Sequence, residues 1–183
     1  TFVNTSRKLR VMNSLRKPAI GFAITTSQYD SVMPRGVVAR LVASGKASLG
    51  AAIADYLKLG RKVSDYARAM KAASYVTSST SLDTSLTDSQ VAEEAIRIIK
   101  GDEEEEKDVK SARQPEQEST TSSGMYASVA LAAHRAGRRG VADLLIMLEQ
   151  SPTDKVHALL AIGSYADAAA VACRARDPDL IHT

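Results

Sequence analysis

The sequence has no tryptophan, two phenylalanines and a single cysteine, Cys173. One cysteine excludes an internal disulfide framework and points to a reducing compartment. Aromatic residues make up only 4% of the chain, and no run alternates β-branched or aromatic side chains with polar ones between turn signals. A β-sheet is therefore not expected. Long hydrophobic runs are missing too. The most apolar stretch, Leu144 to Leu148, is far shorter than the roughly 20 residues that cross a bilayer, and no signal-peptide pattern opens the chain. The first residue is Thr1 rather than Met, which reads as a segment of something longer.

Constellations that carry chemistry are equally scarce. His134, His157 and His182 fall on three separate predicted helices, and none has a second His or Cys at i+3 or i+4 to share a metal. Cys173 lacks the surroundings of a nucleophile and is expected to pack as a small apolar residue beside Ala172. Ser44-Gly45-Lys46-Ala47-Ser48 looks like the end of a phosphate-binding loop. Arg40, however, stands where that loop needs its first glycine, and Ala47 where it needs a hydroxyl for magnesium. Gly45 reads better as a helix stop. The densest cluster of acidic residues, 8 of 21, lies in a polar stretch where burial cannot raise a carboxyl pKa, which argues against paired acid/base work there. The expectation is a protein that is not an enzyme, with no catalytic residues, no metal and no cofactor.

What remains is helix. Apolar residues are 44% of 183, enough for a core, and they recur at helical spacing. In the last third the stripe Val141, Leu144, Leu145, Leu148 is followed by Val156, Leu159, Leu160 and by Tyr165, Ala168, Ala169, Ala172. Upstream the stripes are Leu49, Ile53, Tyr56, Leu57, then Val63, Tyr66, Met70, then Val91, Ala95, Ile98, Ile99. Gly45, Gly60, Gly101, Gly137 and Gly163 mark helix ends. Ser151-Pro152 and Asp177-Pro178 mark helix starts, Thr87 with Gln90 forms a capping box, and Ser164 with Asp167 has the same spacing. The predicted helices run three or four turns with short connections, so neighbours pack antiparallel. Gly137-x4-Ala142 recurs as Gly163-x4-Ala168 one helix pair later. The fold class is all-α, an α-solenoid of short antiparallel helical hairpins.

Charge is distributed unevenly. Residues 1–76 hold 13 Lys/Arg and 3 Asp/Glu, residues 101–124 hold 3 and 8, and residues 125–183 hold 6 and 6. Composition thus divides the chain into an N-terminal helical block (1–100), an acidic and polar low-complexity linker (101–123) and C-terminal helical hairpins (124–183). The linker, with Glu103-Glu104-Glu105-Glu106 and Pro115, is expected to be a disordered insertion. A shorter polar connector is expected over Ser78 to Ser85. The basic first block would suit nucleic acid, anionic lipid or an acidic protein, or would simply be a solvated surface. Arg138-Arg139 falls at a predicted exposed turn, where it would either keep the surface soluble or meet a carboxylate-bearing partner.

The run Leu9-Arg10-Val11-Met12-Asn13-Ser14-Leu15-Arg16, with Ile20-Gly21 and Gln28-Tyr29 after it, resembles the entry to the C-terminal region of the vacuolar protein sorting-associated protein 16 family. Tyr126 to Ala133, Ala136-Gly137-Arg138, Ala142 and Leu144-Leu145 are similar to its helix pair. Val156 to Leu160 and Asp177 to Ile181 are similar to the helices that follow. The resemblance implies the α-solenoid of a class C core subunit of the HOPS and CORVET tethering complexes. It further implies that the solenoid recruits a Sec1/Munc18-like subunit for SNARE-mediated fusion, on late endosome and vacuole or lysosome membranes. The acidic stretch departs from the family pattern.

The expected function is therefore a scaffold that binds a Sec1/Munc18-like protein and other tethering-complex subunits, with no nucleic acid and no direct membrane insertion. Rivals are a coat or adaptor repeat that binds peptides and a nucleic-acid-binding helical repeat. Residues 124–183 are the expected docking block, with Arg135, Arg138, Arg139, Lys155, Arg174 and Arg176 as candidate partner contacts.

Overall fold

A computed structural model describes residues 2–82, 86–101 and 124–181. They are helical throughout, with no strand among them. The chain divides into two compact units, one up to Arg68 and one from Ala69.

The first unit contains α1 (Phe2–Leu15), α2 (Thr26–Ala43), α3 (Ala47–Leu57) and the start of α4 (Arg61–Leu82). Val11, Met12 and Leu15 of α1 are buried, as are Val37, Val38 and Leu41 of α2 and Ala51, Ile53 and Ala54 of α3. A capping box starts α2: Thr25 Oγ1 accepts from Gln28 N–H, and the Gln28 side chain accepts from Thr25 N–H. Inside α2, Met33 leaves helical geometry at φ 61°, ψ 156°, directly before Pro34. Proline at 34 removes an amide and crowds the preceding turn, so the helix breaks there. Gly45 does end α2 in the left-handed conformation, as its spacing predicts. Gly60 does not end α3. Lys58 takes the left-handed position at φ 52°, and Gly60 instead accepts the first amide bonds of α4.

The second unit holds the rest of α4, with α5 (Asp88–Lys100), α6 (Met125–Arg135), α7 (Arg139–Leu148), α8 (Pro152–Ile162), α9 (Tyr165–Ala175) and the short α10 (Pro178–Ile181). One hydrophobic core runs from Ala69, Ala72 and Val76 of α4 through Val91 and Ala95 of α5, Val129 and Ala133 of α6, and Leu145 of α7 to Val156 and Ala168. Packing therefore groups α5 with residues 124–181, whereas composition groups it with the basic block. Charge marks where the chain is polar, but apolar faces decide which helices meet. Residues 102–123, where the acidic insertion is expected, lie outside the described residues.

Within this unit α6 packs on α7, α8 on α9, α5 on α7 and α6 on α8. Hairpins set side by side, with α5 on α7 and α6 on α8 joining one pair to the next, make the contact pattern of an α-solenoid. The connections are the residues 136–138, 149–151 and 163–164. Gly137 and Gly163 close α6 and α8 with φ near +84° and +89°. After each, two amides turn back onto the helix: Gly137 to His134 O and Arg138 to Ala133 O, Gly163 to Leu160 O and Ser164 to Leu159 O. The sequence echo is structural, since Ala142 and Ala168, five residues past each glycine, are both buried.

Three sequence expectations give way here. The stripe of α7 is Val141, Ala142, Leu145 and Ile146, while Leu144 and Leu148 are exposed. Periodicity fixes the spacing, but two registers one residue apart fit a helix this apolar. The polar run from Ser78 is not a connector as far as Leu82, because α4 continues through it for 22 residues in all. Thr77, Ser78, Ser79 and Thr80 turn their hydroxyls onto carbonyls three or four residues back, so these side chains are satisfied within the helix and none of them caps its end. Residues 83–85 lie outside the described set. Ser164 makes no side-chain cap, because its N–H is already committed to the turn that closes α8 and its ψ of 66° is not extended. The caps at Ser151, with Pro152 following, and at Thr87 form as expected.

Candidate functional site

The docking block expected from sequence is held together by two charged side chains, neither of them at the surface in the expected sense. The first is Arg138. After Gly137 turns the chain, Arg138 sits at the N-cap of α7 and its side chain runs inward, only 11% exposed. Its guanidinium donates to Ser79 O at 3.0 Å, Leu86 O at 3.2 Å, Asp88 Oδ1 at 3.1 Å and Thr80 Oγ1 at 3.3 Å. It thereby satisfies carbonyls at the end of α4 and just before α5, which no helix bond can reach. Asp88 lies close against α7 because residue 140 is glycine. A Cβ built there would come within 2.5 Å of Asp88 Oδ2. The expectation that Arg138 occupies an exposed turn is overturned, since a planar five-donor fork suits convergent buried acceptors.

The second is Glu149, which sequence reasoning left without a role. It is 6% exposed at the C-cap of α7. Gly124 begins α6 with no side chain to cap it. Glu149 supplies the cap from a different hairpin arm: its carboxylate accepts from Gly124 N–H at 3.3 Å, Ala127 N–H at 3.1 Å and Ser151 N–H at 3.1 Å. A carboxylate at a helix start also answers the positive end of the helix dipole. The neighbouring Tyr126 phenol is pushed above its ordinary pKa of 10.0, first by burial and second by the Glu149 charge. A glycine N-cap leaves the first amides of α6 in need of an acceptor from elsewhere, but the Ser122-Ser123 pair just before it suggests a local cap and hides that need in the sequence.

Glu149 also fixes the direction of the hairpins. It joins the end of α7 to the start of α6, and Gly124 lies against the Asp154 carboxylate in the first turn of α8. The start of α6, the end of α7 and the start of α8 therefore share one end, and α9, folding back on α8, finishes there too. Lys155, Arg174 and Arg176 belong to this end, with Lys155 Nζ donating to Met147 O at 3.2 Å. Arg135, Arg138 and Arg139 belong to the other, about 16 Å away for an 11-residue helix. The six candidate contacts are not one patch. Arg135, Arg139, Arg174 and Arg176 are exposed, while Lys155 is half-buried and Arg138 is engaged internally.

Exposed apolar residues lie along these helices as well. Leu144, Met147 and Leu148 of α7 stand at i, i+3, i+4 with 41%, 73% and 42% exposure, one contiguous face. Val156, Leu160, Ala168, Ala172 and Leu180 line a groove between α8, α9 and α10. Cys173 shares that groove and is exposed, not packed away as expected. The Nδ1 of His134 is buried with no hydrogen-bond partner, His157 is exposed and His182 lies outside the described residues. Among the described residues no three His, Cys, Asp or Glu side chains gather as metal ligands, and no helix is long and apolar enough to cross a membrane.

No family model matches the chain. Over 180 residues, 97% of its length, the chain is 29% identical to Protein VACUOLELESS1 of Arabidopsis thaliana. That stretch is 18% of the Arabidopsis protein, so the chain spans less than a fifth of the length of this relative.

Proposed function

We propose that the chain is a scaffold segment of an endosomal or vacuolar membrane-tethering assembly, whose helical hairpins hold a Sec1/Munc18-like protein in support of SNARE-mediated fusion. The observation that carries this reading is the alignment across 97% of the chain with a protein whose name refers to the vacuole. It agrees with the resemblance of the helix-pair residues to the vacuolar protein sorting-associated protein 16 family. The role is positional and not enzymatic: hairpins fixed by internal clamps present a preformed surface, which lowers the ordering cost of association.

On residues 124–181 exposed basic residues stand at both ends, and an apolar patch occupies the second half of α7. Leu144, Met147 and Leu148 offer apolar area for a partner to bury, with exposed Arg139 at the first residue of α7 and Arg135 at the last of α6. The acidic-partner contact therefore moves from Arg138 to Arg135 and Arg139. Co-expression of the chain with a Sec1/Munc18-like subunit should yield a stoichiometric complex through affinity and size-exclusion steps. Separation of the two at the first column would refute the assignment.

A further inference from the structure

Residues 1–68 hold 12 Lys/Arg and 3 Asp/Glu. Part of that surplus is used internally: Lys8 pairs with Asp30, Arg68 with Asp55, Arg16 donates to Ile24 O and Lys46 to Ile20 O. Where α3 gives way to α4 it is not. Lys58, Arg61 and Lys62 follow one another there, all exposed. Helix α1 packs on α3 and brings two more cations to Tyr56. The Arg7 guanidinium lies 5.9 Å from the ring centroid, and Arg10 donates to Tyr56 Oη at 3.4 Å. The acids nearest in the chain are two, Asp55, paired with Arg68, and the buried Asp65, so the five cations outnumber them.

The exposed side chains of these helices are not all polar. Tyr56 and Tyr66 are exposed by 40% and 48%, and Phe2, Val3 and Leu9 of α1 are exposed as well. Lys58 holds the left-handed conformation that ends α3, a position where glycine is the usual residue. A long cation is kept there against a backbone preference.

We propose that this face, Arg7, Arg10, Lys58, Arg61 and Lys62 around Tyr56, adsorbs peripherally to an anionic lipid surface. A bilayer asks for no shape complementarity. It asks for unpaired cations with apolar and amphipathic aromatic side chains among them, which is the composition of this surface. Single-stranded nucleic acid stacks its bases on a row of open aromatic faces, and at the centre of this face Arg7 lies over Tyr56. An acidic peptide read by strand addition would need a sheet edge, and the described residues contain no strand. The inference stands apart from the partner reading, because it concerns the first unit and needs no second protein.

The test is co-sedimentation of the whole chain with phosphatidylcholine vesicles, with and without phosphatidylserine, at two ionic strengths. Binding is expected only to the anionic vesicles and should weaken as salt rises. Each surface cation contributes about a fivefold change in partition, so Lys58→Ala/Arg61→Ala/Lys62→Ala should lower it about a hundredfold. Lys58→Gly serves as the second variant, since it removes one charge while relieving the left-handed backbone. Its melting temperature should hold or rise while binding falls about fivefold. Equal binding to neutral vesicles would overturn the proposal, as would folded variants that bind like the parent. A polyglutamate peptide or an oligonucleotide that outcompetes the anionic vesicles would also overturn it.

Discussion

Removing the Arg138 side chain should loosen the second unit far more than any other basic substitution in residues 124–181. The guanidinium joins three places at once: the end of α4, Leu86 two residues before α5 and the first residue of α5. Neutral hydrogen bonds contribute about 1 kcal/mol each, and those made by a charged donor about 1.5–3 kcal/mol. Two of the acceptors, Ser79 O and Leu86 O, are backbone carbonyls that keep their need for a donor after truncation. Asp88 is 44% exposed, so its ion pair is screened and adds about 0.5 kcal/mol. Water would re-enter part of the site, which offsets some of the loss. Arg138→Ala should therefore cost about 3 kcal/mol, or about 10 °C in melting temperature for a unit of this size.

Arg138→Lys tests geometry against charge, since an ammonium is a compact point donor without the planar fork and should recover less than half. Arg139→Ala is the control, exposed and expected to stay within about 0.5 kcal/mol. Urea unfolding followed by far-UV circular dichroism gives the numbers, with an unchanged slope confirming that the same surface unfolds. An Arg138→Ala protein as stable as the parent would refute the clamp. So would equal losses from Arg138→Ala and Arg139→Ala.

Glu149→Ala should cost about 2–4 kcal/mol by leaving the amides of Gly124, Ala127 and Ser151 without their acceptor, and Glu149→Gln should cost less; thermal melts read both. Tyr126 is neutral when buried, and its raised pKa means that the unfolded chain ionises first. Stability should thus be insensitive to this group below its ordinary 10.0 and fall as pH climbs above it, a fall that Tyr126→Phe should reduce in melts recorded across that range. Leu145→Asp places a charge at a fully buried position and should unfold the second unit, whereas Met147→Asp, at 73% exposure, should leave helicity and melting unchanged in circular dichroism. Any loss of partner binding by Met147→Asp then reports the surface alone.

The all-α class and most helix ends were legible because they depend on local chemistry. Ser151-Pro152, Thr87 with Gln90, Gly137 and Gly163 each answer the unsatisfied amides or carbonyls of a helix terminus within four residues of chain. The face each helix buries was less legible. Leu144 and Leu148 are better hydrophobes than Ala142, yet α7 turns Ala142 and Ile146 inward, since α5 and α6 close from that side. The α4 helix outran its expected end although its Ser/Thr run has low helix propensity, since its hydroxyls are accommodated by the helix's own carbonyls, an alternative that composition alone reads as loop. The break at Met33 was signalled by Pro34 and went unread. Arg138 and Glu149 were out of reach for a different reason. Arg138 finds its acceptors 50 to 59 residues away, and Glu149 two of its three donors 22 to 25 residues away, so no local pattern encodes them. A charge at a tight turn looks solvated until the hairpin that receives it is known. The candidate contacts dispersed for the same reason, because balanced charge along 124–183 says nothing about which end of a hairpin each residue occupies.

The scaffold reading meets its most direct test in calorimetric titration of the folded chain with a purified Sec1/Munc18-like subunit, run beside the Met147→Asp protein. Saturable one-to-one binding is expected for the parent, weakened at least tenfold in the variant, since truncated or charged anchors commonly cost 2 kcal/mol or more, roughly. A parent chain with native helicity and no heat of binding, and no complex by light scattering, would contradict the account.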